Sequence, residues 1–144
     1  MRIVKIAKGK EWIGVDLDGT LASYTEYKGP EHIGEPIPKM VSRVKKWLDD
    51  GKTVKMFTAR ADGKDKAVAV KAIKAWCKEH LGQELEVTCK KDQFMTELWD
   101  DRAVRVKKNK GERTAESKSD PYRESLEKER EDRLLKALGI SKDK

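Results

Sequence analysis

The chain has 144 residues, of which 41% are charged and 37% hydrophobic, and it carries a formal net charge of +7. That length suits one domain with a modest tail and supports a core without covalent staples. No apolar run approaches the roughly 20 residues that span a bilayer, which excludes a helical membrane protein, and the basic balance favours anionic partners such as phosphate esters or nucleic acid.

The charge is unevenly placed. Residues 111–144 hold nine Lys/Arg and nine Asp/Glu, whereas residues 1–110 hold 24 basic and 17 acidic side chains. Ordinary solubilisation of helix faces by lysine accounts equally well for most of the excess. Met1-Arg2-Ile3-Val4-Lys5-Ile6 is too short and too charged for a signal peptide, so a cytoplasmic address is expected. Cys77 and Cys89 lack metal-ligand spacing and read as free thiols. His32 and His80 are too scattered for a zinc site.

In chain order, residues 2–6 and 11–16 read as strands around Lys8-Gly9-Lys10. The second strand runs into Asp16-Leu17-Asp18-Gly19-Thr20-Leu21. Side chains two apart on a strand point the same way, so Asp16 and Asp18 leave its end together. Two like charges so placed repel, and a divalent cation is the usual reason for them. A Gly-containing turn with self-bonded aspartates is the plainer alternative.

Residues 22–37 read as a flap, broken by Gly29-Pro30, Gly34 and Pro36, with Tyr24, Tyr27 and Ile33 over the strand end. A helix follows from Pro38, with Met40, Val41, Val44, Trp47 and Leu48 on one face and Gly51 as its stop. Thr53 to Phe57 is the next strand, ending at Thr58-Ala59-Arg60. Asp62 is expected to cap a second helix whose face carries Ala69, Ile73, Trp76 and Cys77, ending near Leu81-Gly82. Leu85 to Thr88 is a short third strand before Cys89-Lys90-Lys91-Asp92. Phe94 to Glu97 reads as one helical turn, and Ala103 to Val106 as a last strand before the Lys107 to Gly111 turn. Residues 112–119 read as a polar linker, and Ser119 or Asp120 followed by Pro121 starts a charged helix with a thin stripe of Tyr122, Leu126, Leu134, Leu135 and Leu138. That helix is expected to dock on the core or to pair with a second copy as a homodimer. The division drawn is therefore a core at 1–111 and a linker plus helix at 112–144.

Alternating strands and helices with short links imply a doubly wound α/β fold with a mainly parallel sheet and helices on both faces. Ligands then sit at the carboxyl ends of the strands. Asp16, Asp18, Thr58, Lys91, Asp100 and Asp101 all fall there in the sequence reading. This set suits phosphoryl transfer, where a magnesium ion shared between a carboxylate nucleophile and a phosphate removes their repulsion. Asp16 is the natural nucleophile, and Asp18 can donate a proton to the leaving oxygen and later take one from water. Backbone amides from Leu17 to Gly19 and the Thr58 hydroxyl can hold the transferring oxygens, and Lys91 adds a positive charge. Asp100 and Asp101 complete the metal shell. Gly19 thus counts as a substrate contact. Arg60 and Arg102 flank the site and either contact a second phosphate or base, or pair with nearby acids.

The motifs resemble those of the haloacid dehalogenase (HAD) superfamily of aspartate-nucleophile phosphatases. Asp-Leu-Asp-Gly-Thr-Leu at 16–21 is similar to its first motif, Phe57-Thr58 to the second, Lys91 (beside Lys90) to the third, and Trp99-Asp100-Asp101-Arg102 to the fourth. The resemblance spans residues 11–106. It implies a Rossmann-like fold, magnesium, an aspartyl-phosphate on Asp16, Asp18 as acid/base with its backbone carbonyl on the metal, and Asp100 as the direct acidic ligand supported by Asp101. The short gaps between motifs resemble a capless member of phage or bacterial type, whose open site suits a nucleotide or nucleic-acid phosphate. The alternatives are a polynucleotide 3′-phosphatase specifically, and a non-catalytic scaffold of the same fold. Arg105, Lys107, Lys108 and Lys110 form a basic run after the site, read as a solvated strand edge or a nucleic-acid contact. Tyr24 and Tyr27 are the better base-stacking candidates, while Trp12, Trp47, Trp76 and Trp99 read as packing.

Overall fold

The computed structural model describes residues 11–114 and 121–140, with the backbone alone for 121–127. The expected strand at 2–6 and most of the linker lie outside the described residues. The first of two compact units closes at Asp101, and the second begins at Arg102.

The first unit is α/β. Its strands are β1 (Trp12–Val15), β2 (Val54–Phe57), β3 (Glu86–Thr88) and β4 (Met95–Trp99). They form one sheet in the order β3-β2-β1-β4, and every pairing is parallel. This is the Rossmann-like arrangement that strand–helix alternation implies. Helix α1 (Pro38–Asp49) links β1 to β2, and helix α2 (Lys66–Leu81) links β2 to β3.

The apolar residues explain the layers. Ile13 and Val15 of β1 and Val54 and Met56 of β2 pack with Met40 and Val44 of α1 and with Ile73, Trp76, Cys77 and Leu81 of α2. The period-2 pattern of β2, with Lys55 and Phe57 less buried than their neighbours, separates the two faces. The two helices of this unit touch each other and share one face. The other face carries Trp12, whose ring lies beside Gly14 and under the Lys55 ammonium, 4.7 Å from its centroid. Helices on both faces are thus not found within the described part of this unit.

Pro38 sits at the start of α1, and Gly82 ends α2 in the left-handed conformation. Asp62 does not cap α2. It closes a 3-10 turn at Ala59–Ala61, and α2 begins four residues later, at Lys66 behind Asp65. The expected helical turn at Phe94–Glu97 is instead strand β4, paired with β1. Its register slips between Trp12 and Ile13, where Thr96 is an extra residue. That irregularity breaks the alternation that marks a strand in sequence.

In the second unit, Ala103 to Val106 does not extend the sheet. Val106 instead bridges antiparallel to Arg113 across the expected turn, closed by the Lys107–Glu112 ion pair at 3.6 Å. Helix α3 (Pro121–Leu138) follows, with Leu134 and Leu138 exposed. Among the described residues no helix is long and apolar enough to cross a membrane.

Candidate metal centre and active site

The sheet order places a topological switch at β1, which has β2 on one side and β4 on the other. Open parallel sheets bind ligands at such a point, outside the carboxyl ends. Val15 is level with Met56 and with Trp99. The next residues, Asp16 and Asp100, therefore leave the sheet side by side, level with Phe57 at the end of β2. The Asp16 amide donates to the Trp99 carbonyl at 2.9 Å, which fixes that level.

Asp16, Asp100 and Asp101 each offer a carboxylate oxygen within 4.8 Å of the others. Magnesium–oxygen bonds are about 2.0–2.1 Å long, so one such ion reaches all three after small side-chain shifts. The chemistry of the donors also fits, since hard divalent cations prefer carboxylate oxygen. The electrostatics agree. Asp16 is pushed from 3.8 up to about 8, first by burial, then by the Asp100 charge and by a hydrogen bond and charge from Asp101, against a smaller opposing pull from the Leu17 amide. Such a group favours neutralisation by a proton or a cation.

Thr20 ties the acids together, a role that spacing alone did not reveal. Its hydroxyl lies 3.2 Å from Asp101 Oδ1 and 3.5 Å from Asp16 Oδ2, and it accepts the Asp101 amide at 3.0 Å. The available signal was its place four residues after Asp16, in a turn where the Thr20, Leu21 and Ala22 amides all donate to the Leu17 carbonyl.

Gly19 has a different part from the one expected. Its amide donates to the Ala22 carbonyl at 2.8 Å, so that donor is already committed. Its φ is +88°, and a Cβ there would lie 2.7 Å from Asp101 Oδ2. Glycine is thus required for the turn and for the close approach of Asp101.

Asp18 is not among the three clustered carboxylates. Its side chain forms a two-bond pair with Arg60, at 2.8 Å to Nε and 2.9 Å to Nη2. Of the two roles open to Arg60, the structure forms the pairing with an acid. Thr58 follows β2 at the same edge of the sheet and is 4% exposed. Its hydroxyl accepts the Arg60 amide at 3.2 Å, and among the described residues its own hydrogen meets no acceptor. Buried hydroxyls are normally satisfied, so this one is available to a ligand oxygen.

Lys91 is exposed and makes no ion pair with the three acids among the described residues. The segment after β3 runs back to the start of β1: Asp92 accepts from the Trp12 indole at 2.9 Å, and Phe94 from the Trp12 amide at 3.0 Å. That indole and the Phe94 amide hold the Asp92 carboxyl below the usual range. Asp92, the neighbour of Lys91, is therefore anchored at Trp12, four positions before Asp16. Arg102 is exposed and belongs to the second unit.

The flap encloses a cleft of about 150 Å³ with Asp18, Tyr24, His32, Glu35 and Arg60 among its walls. A groove of about 320 Å³ between Lys45, Leu48, Leu81 and Gln83 holds none of the expected site residues. Both cysteines are free thiols, and burial pushes Cys77 up to about 12, which makes it inert.

No protein-family model matches the chain, and no curated protein matches it. A solved structure of a conserved protein from Bacteroides thetaiotaomicron is similar over 65% of this chain and 77% of its own, at 24% identity and a TM-score of 0.46.

Proposed function

We propose that the chain is a magnesium-dependent phosphomonoester hydrolase of the HAD type, acting on a nucleotide or nucleic-acid phosphate through an aspartyl-phosphate on Asp16. The observation that carries this reading is the convergence of Asp16, Asp100 and Asp101 within 4.8 Å at adjacent strand ends. Magnesium held by these three would offset the repulsion between a carboxylate nucleophile and an anionic phosphate.

This chain's own residues do the remainder. Asp16 supplies the attacking oxygen from the end of a buried strand, which limits its motion. Thr20 orients it and Asp101 by hydrogen bonding. The Thr58 hydroxyl has a hydrogen to give to a phosphoryl oxygen. Asp18, on the next turn, protonates the leaving oxygen and then takes a proton from the attacking water. Lys91 would add a fixed positive charge for the transferring phosphate.

The test is phosphate release from an aryl phosphate with and without magnesium. Wild type should require the ion, and Asp16→Asn should be inactive. Comparing nucleoside monophosphates with 3′-phosphorylated oligonucleotides then separates a nucleotide substrate from a polynucleotide end. Indifference to both contradicts the nucleic-acid part.

A further inference from the structure

One side chain holds both Asp18 and the flap. Arg60 gives Nε and Nη2 to the two oxygens of Asp18. Its third nitrogen, Nη1, donates to the carbonyls of His32 at 2.8 Å and Gly29 at 3.4 Å. The Tyr27 ring covers the guanidinium, with its centroid 5.3 Å away. The Arg60 side chain is 8% exposed. Its backbone is fixed by the Thr58 hydroxyl at the start of the 3-10 turn, so the arm extends from a firm base.

The root of the flap is held separately. Ser23 donates to the Glu35 carbonyl at 2.7 Å, and the Trp76 indole donates to the Gly34 carbonyl at 3.1 Å. Gly34 packs so closely on the Ser23 carbonyl that no Cβ fits there. The tip, around Gly29 to His32, rests on Arg60.

This geometry bears on proton transfer. Both Asp18 oxygens accept charge-assisted bonds from the guanidinium, so the carboxylate is held against Arg60. To meet a leaving group elsewhere in the crevice, this carboxyl has to turn from its place against the guanidinium. It must first part from Arg60, and a guanidinium that leaves Asp18 also loses its fixed position under the flap. We propose that Arg60 is a latch: one guanidinium closes the flap and withholds Asp18, so flap opening and release of Asp18 for proton transfer are a single event.

The inference rests on the phosphatase reading for its second half. Once released and protonated, the Asp18 carboxyl gives its proton to the leaving alkoxide oxygen. At the same time the Asp16 oxygen bonds to phosphorus and the ester P–O bond breaks. Asp18 ends as a carboxylate. It next accepts the proton of the water that hydrolyses the aspartyl-phosphate, which returns both groups to their starting forms. An incoming phosphate is a suitable competitor for the guanidinium, because its oxygens match the same two-pronged geometry.

The experiment uses the full chain and two variants, Arg60→Gln and Asp18→Asn. The first readout is tryptic cleavage after Lys28, at the flap. Both variants should be cleaved there roughly tenfold faster or more than wild type, the change expected for losing a part-buried charge-assisted pair. Asp18→Asn leaves Arg60 and the flap sequence intact, so it carries this arm even if Arg60→Gln folds poorly. An unchanged rate in Asp18→Asn overturns the latch.

The second readout is the ratio of kcat/KM for an alkyl phosphate, which needs a proton on its leaving oxygen, to that for a nitrophenyl phosphate, which does not. The latch predicts that this ratio rises in Arg60→Gln, because Asp18 is no longer withheld. A fall would make Arg60 a positioning residue for Asp18, and an unchanged ratio would make it purely structural; either overturns the proposal. Wild type that hydrolyses neither ester refutes the phosphatase reading and the proton-transfer half with it, while the tryptic arm still decides the flap half.

Discussion

Asp16 carries the largest electrostatic strain in the crevice. Burial and two neighbouring carboxylates favour its neutral form and push it from 3.8 up to about 8 in the fold. The folded state therefore binds this proton more tightly. The stability that follows is fully present below the unfolded value and is lost as pH rises through the folded one. Without metal, the Tm of wild type should fall more steeply between about pH 5 and about pH 8 than that of Asp16→Asn. Magnesium, taking the place of the proton, should flatten the wild-type curve, and parallel metal-free curves would contradict the assignment. Thr20 makes a separate prediction. Thr20→Val keeps the shape but removes the hydroxyl shared by Asp16 and Asp101, so magnesium affinity should drop about 10–100-fold, the usual effect of losing an outer-shell partner. Calorimetric titration measures this, and unchanged affinity would mean that Thr20 only shapes the turn. Gly19→Ala should weaken magnesium binding as well, since its Cβ would displace Asp101.

At the level of elements, the sequence pattern located most of the fold because burial and period coincide. The apolar face expected in α2 is buried at Ala69, Ile73, Trp76 and Cys77. Ile73 is fully enclosed between α2 and the sheet. Ile73→Ala should lower stability by about 2–5 kcal/mol, measured by urea unfolding, with magnesium affinity at the folded crevice unchanged. Where the reading missed, a tertiary or irregular feature decided. β4 is short and slipped in register, so its period was hidden. Asp62 had the right chemistry for a helix cap, but the 3-10 turn at Ala59–Ala61 came first. Among site residues, Asp16, Asp100 and Asp101 were legible because strand ends converge in a parallel sheet. The bond between Asp18 and Arg60 was visible only as one of two options, since side-chain pairing across 42 residues has no local signal. Motif order alone points to Lys91, and the structure fixes its neighbour Asp92 at Trp12.

For the whole molecule, the relevant quantity is charge. The excess of basic side chains lies in residues 1–110, and such a surface attracts polyanions in a salt-dependent way. If the substrate is a nucleic-acid end, kcat/KM for a 3′-phosphorylated oligonucleotide should fall steeply with added salt, while that for a nucleoside monophosphate changes little. Equal slopes would point to a small nucleotide. The three clustered acids, Thr20, Thr58 and the Asp18–Arg60 pair all belong to the unit that closes at Asp101.

The central claim is that Asp16 attacks phosphorus. The direct measurement is acid quenching of the protein during turnover of an aryl phosphate with magnesium, followed by mass spectrometry of the peptide that contains Asp16. The account predicts a phosphoryl group on Asp16 that forms only with magnesium and is absent in Asp16→Asn. A phosphoryl group on another residue, or magnesium-dependent turnover by Asp16→Asn, would contradict it.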